Sequence, residues 1–329
     1  MATHTAPPRL SEIHAPVRER LDNVVDEIRR IVVSDFAPVD EVNHYLMKLR
    51  GKLFRPGLVL LCDELGGRAH PRAETLAAII ELVHLATLVH DDAVDHSVLR
   101  RGMPTVNALW SHQVAIIMGD YLYSRSIMEI ARIGEMEPVR VIAAAANAMT
   151  VGEMRQLVSH DALGFSEDDY YRLIDSKTAS LMSAACEMGA LTGAPEFREP
   201  LARYGRELGH AFQIADDLLD YTADSGETGK PSGLDLREHK VTLPLIHVLP
   251  RLDSAERATV DAFFADPEPT DEAIAEVVEM VRRRGGLEYA RSRALESAQR
   301  AHDALDGLPE GPVLEALRDS IAYAVDRRK

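Results

Sequence analysis

Six aspartates fall into two trios with the same spacing, and each trio ends an apolar run. They are Asp91, Asp92 and Asp95 in "LVHDDAVD", then Asp216, Asp217 and Asp220 in "IADDLLD". On a helix, positions i and i+4 lie on one face, about 6 Å apart along the axis, and position i+1 lies beside them. Each trio is therefore predicted to be a local carboxylate cluster. Like charges one turn apart disfavour a helix by a few tenths of a kcal/mol per pair.

Clustered carboxylate oxygens suit hard divalent cations, above all Mg²⁺, which typically bridges a few carboxylates to substrate phosphates. The alternative is that each trio is a solvated helix end in an acidic protein. Two identical clusters, both ending apolar helices, favour the cation site. A bound cation would also offset the repulsion between the carboxylates.

Basic residues lie near both trios in the sequence. They are Lys52 and Arg55 in "RGKLFRPG", Arg100 and Arg101 after the first trio, Lys177 in "IDSKTASL", and Lys230 and Lys240 in the glycine-rich stretch 224–240. Taken singly, each is an ordinary surface charge. Arg and Lys are also the side chains that bind phosphate. Together with the trios they predict a site for a metal-bound diphosphate, because cations of both kinds must neutralise the polyanion.

Helical periodicity dominates the chain that must position these residues. Residues 10–33 carry an i, i+3/i+4 apolar stripe, and residues 72–95 are apolar almost all round, which is typical of a central buried helix. Further helices are predicted near 111–133, 138–160, 167–191, 197–222, 241–250, 254–265, 271–284, 286–306 and 312–327. We find no convincing series of period two, so the prediction is an all-α bundle of about ten or more helices. The stretch 224–240 is predicted to be a functional loop or lid, the alternative being a plain surface excursion.

Composition narrows the class of protein. The 329 residues contain no linker and no repeat, so one domain is predicted over 1–329, with a flexible tail at 1–9. A net charge of −16 argues against a nucleic-acid partner. Cys62 and Cys186 are predicted to be buried thiols without a role. No apolar signal core opens the sequence, and the longest uncharged stretch, 102–119, is too polar for a membrane span. We therefore expect a cytoplasmic protein without stable membrane insertion.

The sequence resembles the trans-prenyltransferases, or polyprenyl diphosphate synthases, from about residue 40 to 250. The motifs that carry the resemblance, in the family's order, are "GKLFRP", "ELVHLATLVHDDAVDHSVLRRGMPT", "MGDYLY", "KTASL", "FQIADDLLDY" and "GKPSGLDLREHKVTLPL". The resemblance implies the isoprenoid synthase fold around a central cavity, and a homodimer. It also implies a Mg²⁺-dependent head-to-tail 1'-4 condensation of isopentenyl diphosphate onto an allylic diphosphate primer.

The resemblance also implies roles for individual residues. The six aspartates would hold Mg²⁺, three ions per active site, on the allylic diphosphate, and with Lys177 they form the implied catalytic set. The same diphosphate would be contacted by Arg100, Lys177 and Lys230, with Lys240 nearby. Thr178 and Gln213 match positions that flank the developing carbocation or support the metal site. Isopentenyl diphosphate would be bound by Lys52, Arg55, His84 and Arg101. Without the resemblance, His84 is better explained as a core histidine.

Two positions depart from the family pattern: Leu53, where a basic residue usually follows "GK", and His239, where Gly usually precedes the last lysine. They bear on affinity and lid flexibility, and leave the reaction class unchanged.

Product length is predicted from the residues just before the first trio. Ala86 and Thr87 are both small. In the family that the sequence resembles, small residues at these positions accompany long products, of about C30 to C50, of the kind used for quinone side chains. The alternative is that the small residues merely allow close helix packing. Geranylgeranyl or farnesyl diphosphate is the nearer alternative product.

Four other hypotheses compete with a synthase that is active by itself. A class I terpene cyclase would normally lack the second trio and the residues implied for isopentenyl diphosphate. A non-catalytic subunit need not retain both trios. An active subunit that requires a small helper chain stays open, and a pure helical scaffold would explain only the helices.

Overall fold

The computed structural model describes residues 8–48, 51–158, 162–222 and 233–326. Helices make up most of these residues. The longer ones are α1 (Arg18–Val32), α2 (Ala37–Lys48), α3 (Phe54–Glu64), α4 (Arg72–Val94), α5 (His112–Ile133), α6 (Met136–Val158), α7 (Glu167–Ile174), α8 (Ser180–Gly193), α9 (Arg198–Thr222), α10 (Leu243–Val248), α11 (Ser254–Ala265), α12 (Asp271–Arg283), α13 (Gly286–Asp303) and α14 (Pro312–Val325). The all-α prediction is confirmed.

Short elements connect these helices. Single helical turns lie at Leu10–Ile13, Val106–Leu109 and Leu234–Arg237, and 3₁₀ turns at Ala15–Val17, Ala162–Gly164, Pro195–Phe197 and Leu249–Arg251. A π-helical turn, Asp175–Ala179, joins α7 to α8. A two-residue hairpin, which the sequence analysis did not predict, pairs β1 (Leu99–Arg100) antiparallel with β2 (Met103–Pro104).

Helix α4 is the central helix, as predicted. It packs against α1, α3, α5 and α8, and much of its length is fully buried. Among the described residues, α4 alone has the length and apolar composition of a membrane span, but 56% of that window is buried inside the protein. Core helices of this kind are apolar all round because every face meets another helix.

Two helices that position the site were missed from the sequence. Helix α2 buries only Val42, Asn43 and Leu46, too few for a clear stripe. Helix α3 contains Pro56 and Gly57, which normally mark a break. Proline is tolerated in the first helical turn, and a Cβ at Gly57 would lie 2.6 Å from Nε2 of His14.

The core consists of two clusters of buried apolar residues, and α9 contributes to both, through Leu208 to one and Tyr221 to the other. This continuity supports one domain over 1–329, which stays a prediction. Of the predicted tail at 1–9, residues 1–7 lie outside the described residues. The backbone N–H of Arg9 donates to Glu12 at 2.7 Å.

A buried ion network joins the first helices. The guanidinium of Arg20 in α1 reaches Asp63 at 2.7 Å and Glu64 at 2.8 Å on α3, and Glu74 at 2.9 Å on α4. The Asp63 side chain is 0% exposed. Because a buried carboxylate is stable only when it is paired, this contact fixes α1 against α3, which carries Arg55, and against α4, which carries Asp91 and Asp92.

Candidate active site

The ends of α4 and α9 line one cavity of about 730 Å³. Asp91 of the first trio and Asp216 and Asp217 of the second are among its lining residues. The other predicted residues that line it are Arg55, His84, Thr87, Arg100, Arg101, Lys177, Thr178, Gln213 and Lys240. Carboxylates and cations that are far apart in the sequence therefore share one cavity.

In the first trio, the three carboxylates differ in environment. Burial raises the pKa of Asp91 to about 6, and the nearby charge of Glu153 adds to the effect. Asp92 is nearly buried and accepts hydrogen bonds from Nε of Arg100, which lies 2.9 Å from both of its oxygens. Asp95 caps the C-terminus of α4 and is exposed. Arg100 thus already neutralises one carboxylate, while Asp91 faces the cavity.

In the second trio, Asp217 is the most buried carboxylate. It accepts hydrogen bonds from the Tyr170 hydroxyl at 2.6 Å and from Nε2 of Gln213 at 2.8 Å. Burial, with the charge of Asp235 next, raises the pKa of Asp217 to about 8 although both hydrogen bonds favour the ionised form. Asp216 is exposed to the cavity.

Asp220 anchors the segment that follows the glycine-rich stretch. Its two carboxylate oxygens accept hydrogen bonds from the backbone N–H groups of Leu234 and Asp235, each at 3.0 Å. Burial raises the pKa of Asp220 and raises that of Asp235 to about 6. Lys230 and most of the predicted loop lie outside the described residues. The part that is described includes the helical turn Leu234–Arg237.

The π-helical turn carries Lys177 and Thr178. Lys177 donates to Oε1 of Gln156 at 2.9 Å and forms an ion pair with Glu153, both on α6. The Thr178 hydroxyl donates to Oε1 of Gln213 at 2.8 Å. π-Helical turns inserted between α-helices occur frequently at functional sites, and this one points a lysine into the cavity.

A second basic group surrounds His84. Nη1 of Arg55 lies 3.0 Å from Nε2 of His84. Burial, then the charges of Arg55 and Arg101, hold the pKa of His84 well below its ordinary value. Since arginine only donates, Nε2 of the neutral ring is the acceptor and its hydrogen lies on Nδ1. Lys52 is exposed and is not among the lining residues of the cavity.

Left-handed backbone conformations surround the site. Among the described residues, the non-glycine residues with positive φ are Leu53 (54°), His96 (52°), Arg101 (53°) and His239 (54°). Arg101 and Gly102 form the two-residue loop of the hairpin, where both central residues of a type I′ turn need positive φ. Leu53 and His239 are the two departures noted in the sequence. A side chain in this region costs roughly 1–2 kcal/mol, so glycine would be less strained than histidine at position 239.

Sequence reasoning missed Glu153, Gln156, Tyr170 and Asp235, all of which line the cavity or contact residues that do. The signal for Glu153 and Gln156 is weak, because a Glu and a Gln beside Arg155 near the end of α6 resemble an ordinary polar helix face. Tyr170 has no local signal at all, since its partner Asp217 is 47 residues away.

The two residues predicted to control product length occupy different places. Thr87 lines the cavity, and its hydroxyl donates to the carbonyl of His84 at 2.8 Å. Ala86 is 2% exposed and packs in the core. Of the two, only Thr87 lines the cavity.

The donor set fits a hard divalent cation that is shared with a substrate. Within the described part of the chain, no three His, Cys, Asp or Glu side chains already form a site that could hold one ion. The pKa values of Asp91 and Asp217 are raised mainly by burial, so ionised carboxylates are costly at these positions unless a cation compensates for them. Mg²⁺ commonly binds through one or two carboxylates plus substrate phosphates. The carboxylates that line the cavity could supply the protein ligands for such a site.

Comparison with known proteins connects the site to a family. The polyprenyl synthetase family matches residues 37–281. The chain is 37% identical to an all-trans-nonaprenyl-diphosphate synthase (geranyl-diphosphate specific) from Rhodobacter capsulatus, over 96% of this chain and 97% of that protein. It is 38% identical to octaprenyl diphosphate synthase of Escherichia coli, over 89% of this chain and 91% of that protein.

Another relative, 35% identical over 96% of this chain and 98% of its own length, is component 2 of heptaprenyl diphosphate synthase from Geobacillus stearothermophilus. Among solved structures, a polyprenyl synthase from Caulobacter crescentus, complexed with calcium and isoprenyl diphosphate, superposes with a TM-score of 0.92. It is 32% identical and covers 99% of this chain and 100% of its own.

Proposed function

The chain belongs to the polyprenyl synthetase family, and on that premise we propose that it is an all-trans polyprenyl diphosphate synthase of the long-chain type. It elongates an allylic diphosphate primer with isopentenyl diphosphate by head-to-tail 1'-4 condensation. The observation that carries the proposal is the convergence on one cavity of aspartates from both trios, namely Asp91, Asp216 and Asp217, with most of the predicted basic residues. A terpene cyclase would not need the second trio or the group around His84.

We propose Mg²⁺ as the cation, three ions per site, held by the two aspartate trios. The relative from Caulobacter crescentus binds calcium together with isoprenyl diphosphate, which supports a divalent cation. When bound, the ions supply positive charge to the diphosphate as it leaves.

We assign Lys177, which lines the cavity, to the leaving diphosphate, on which negative charge develops. In the structure its ammonium group is held by Glu153 and Gln156, so it is already oriented toward the cavity before substrate binds. Arg100 is held against Asp92. Donors fixed in advance stabilise developing charge without reorganisation during the reaction. We assign Lys177, Arg100, Lys230 and Lys240 to the allylic diphosphate, and Thr178 and Gln213 to the adjoining wall.

The group around His84 is assigned to isopentenyl diphosphate. The neutral His84 ring accepts from Arg55, which fixes the guanidinium, and Arg101 is held on the hairpin turn. Lys52, which is exposed, can reach the diphosphate from solvent. Thr87 and Leu88, which lie between His84 and Asp91 on α4, line the same cavity as both groups. The proton lost from the condensed product passes to the released diphosphate.

A long product is supported by the relatives that make nonaprenyl and octaprenyl diphosphate, and by the small side chain of Thr87. The structure favours Thr87 over Ala86 as the gate, since only Thr87 lines the cavity. Action in the cytoplasm stays a prediction of the sequence.

We propose a homodimer, formed through α5 and α6. Large apolar side chains on these helices are exposed, among them Ile117 (61%), Met136 (63%), Met154 (55%) and Val158 (58%). Met154 and Val158 lie one turn apart and therefore share a face. Exposed large apolar side chains grouped on one helix face mark an interaction site. Light scattering during size exclusion tests the proposal: Met154→Glu with Val158→Glu should yield monomer.

The deciding experiment is product analysis. The purified chain is incubated with Mg²⁺, labelled isopentenyl diphosphate and, separately, dimethylallyl, geranyl or farnesyl diphosphate, and products are sized by reverse-phase chromatography. Products beyond C25 support the proposal. Products that stop at C15 or C20 refute the long-chain assignment. Absence of elongation with every primer points to a missing partner chain, as the relative called component 2 suggests, or to a non-catalytic subunit.

A further inference from the structure

A buried charge network lies behind the π-helical turn. Nε2 of His210 in α9 is 3.0 Å from Oδ1 of Asp175, the first residue of the turn. Nδ1 of the same ring forms an ion pair with Glu207 at 3.7 Å. The His210 side chain is 13% exposed. One histidine therefore bridges two carboxylates that the mechanism above does not use.

The network is one of three ties between α9 and the turn. Gly209, the residue before His210, lies so close to the turn that a Cβ would be 2.5 Å from Cα of Ala179. Gln213, three residues after His210, accepts a hydrogen bond from the hydroxyl of Thr178. His210 and Gln213 are about one helical turn apart. They hold the first and fourth residues of the turn, and Lys177 lies between those two points.

We propose, on the premise that the chain is the synthase described above, that His210 is a positioning residue for this turn. The charged imidazolium ties Asp175 to Glu207, fixes the turn against α9 and so keeps Lys177 aimed at the allylic diphosphate. His210 itself touches no substrate.

The surroundings of His210 favour the charged ring. The titratable and charged groups near His210 are Glu207 and Arg206 on its own helix, Asp175 on the turn, Tyr171 on α7 and Arg300 on α13. The Tyr171 ring packs edge-on against the imidazole, and Arg300 pairs with Glu207. Burial disfavours the charge, but the interactions with Asp175 and Glu207 outweigh it and raise the pKa of His210 above its ordinary value.

The sign of the pH dependence follows from this raised pKa. A charged ring has two N–H donors, and a neutral ring has one. The full bridge is present below the ordinary pKa of histidine and is lost as the pH rises through the raised value. Above that value the neutral ring keeps only one N–H donor, so one of the two carboxylates loses its bond to the ring, although Arg206 still pairs with Asp175 and Arg300 with Glu207.

The test compares His210→Gln with the wild-type chain. Gln places a neutral amide near the position of Nε2 and keeps one donor to Asp175, without a titratable charge. His44→Gln, on the exposed surface of α2, is the matched control. kcat/KM for farnesyl diphosphate is measured from pH 6 to 9 with saturating Mg²⁺, together with KM for isopentenyl diphosphate and the thermal unfolding midpoint.

We expect the ratio of wild type to His210→Gln to be about tenfold at pH 6 and to fall to about twofold at pH 9, since a small misplacement of a catalytic group costs up to about a hundredfold. KM for isopentenyl diphosphate stays within twofold, because that diphosphate binds near His84. The proposal is overturned if the ratio is constant with pH, or if the kinetic constants for farnesyl and isopentenyl diphosphate change by the same factor. Either result indicates a purely structural histidine.

A second readout separates this inference from the proposed function. Binding of inorganic diphosphate with Mg²⁺, followed by calorimetry over the same pH range, needs no turnover. Wild-type binding that weakens with pH more steeply than that of His210→Gln supports the positioning role even if no primer is elongated, in which case only the proposed function fails. Equal pH dependence in both chains refutes the positioning role whatever the turnover.

Discussion

Replacing Tyr170 by Phe removes the hydroxyl that donates to Asp217 at 2.6 Å and leaves every proposed metal ligand in place. Asp217 has its pKa raised to about 8. At pH 7 about nine in ten of these carboxyl groups are therefore protonated in the free protein. A metal ion needs the ionised form, so binding of Mg²⁺ must expel about one proton at this pH. The Tyr170 hydroxyl is expected to influence binding through its hydrogen bond to Asp217.

The magnitude follows from the kind of hydrogen bond. A hydrogen bond to a charged group contributes roughly 1.5–3 kcal/mol and one to a neutral group about 1 kcal/mol. Losing the hydroxyl therefore disfavours the ionised carboxylate by about 1.4 kcal/mol relative to the acid, which is about tenfold. We expect the affinity for the cation to fall about tenfold at pH 7. The loss shrinks to about twofold near pH 9, where Asp217 of the wild-type chain is mostly ionised.

The assay uses Mn²⁺ in place of Mg²⁺, because free Mn²⁺ is counted directly by electron paramagnetic resonance. Titrations at pH 7, 8 and 9 are combined with measurement of the protons released. Tyr171→Phe is the control: Tyr171 is adjacent, and its ring packs edge-on against His210. Equal affinities for the two variants, or a loss that does not diminish with pH, would refute the assignment of Asp217 as a buried, proton-linked ligand.

Three further predictions address the fold and the cavity. Arg20→Met strands the buried carboxylate of Asp63 and should cost about 3–5 kcal/mol, which for a chain of this length lowers the unfolding midpoint by about 6 °C in calorimetry. His239→Gly should be more stable to urea than His239→Ala by about 1 kcal/mol, because both lose the ring but only alanine remains strained at a φ of 54°. Thr87→Phe should shorten the longest product seen by chromatography, since a bulky ring would narrow the cavity at the predicted gate.

Each of these predictions has a contrasting variant. Arg29→Met removes an exposed pair with Asp26 and should change stability by no more than about 0.5 kcal/mol; a loss equal to that of Arg20→Met would contradict the role of burial. An alanine variant at position 239 as stable as the glycine variant would show that the backbone there is unstrained. Ala86→Phe overpacks the core at a cost of about 1–3 kcal/mol. If this variant shortens the product and Thr87→Phe does not, Thr87 is not the residue that limits product length.

Much of the site could be predicted from the sequence because it is encoded in local spacing. Two carboxylates at i and i+4 share a helical face wherever the helix ends. The apolar pattern of 72–95 predicts a buried helix without reference to its neighbours, and α4 occupies Arg72–Val94. The family resemblance then supplies roles for residues such as His84, whose type and spacing alone indicate only a core position.

Other features depend on contacts between distant segments, and no local pattern contains them. Tyr170 meets Asp217 across 47 residues, and Thr178 meets Gln213 across 35. The placement of Thr87 at the cavity and Ala86 in the core depends on which helices surround α4.

The sequence by itself determined the helical class, the two carboxylate clusters and the cations around them, because helix periodicity and residue chemistry are local properties. Only the tertiary structure decided that Asp91 and Asp217 share one cavity, that burial raises their pKa values, and that His210 bridges Asp175 to Glu207 behind Lys177. Burial and electrostatic coupling depend on distance in space, and the packing of α4 and α9 against α8 and their other neighbours sets those distances.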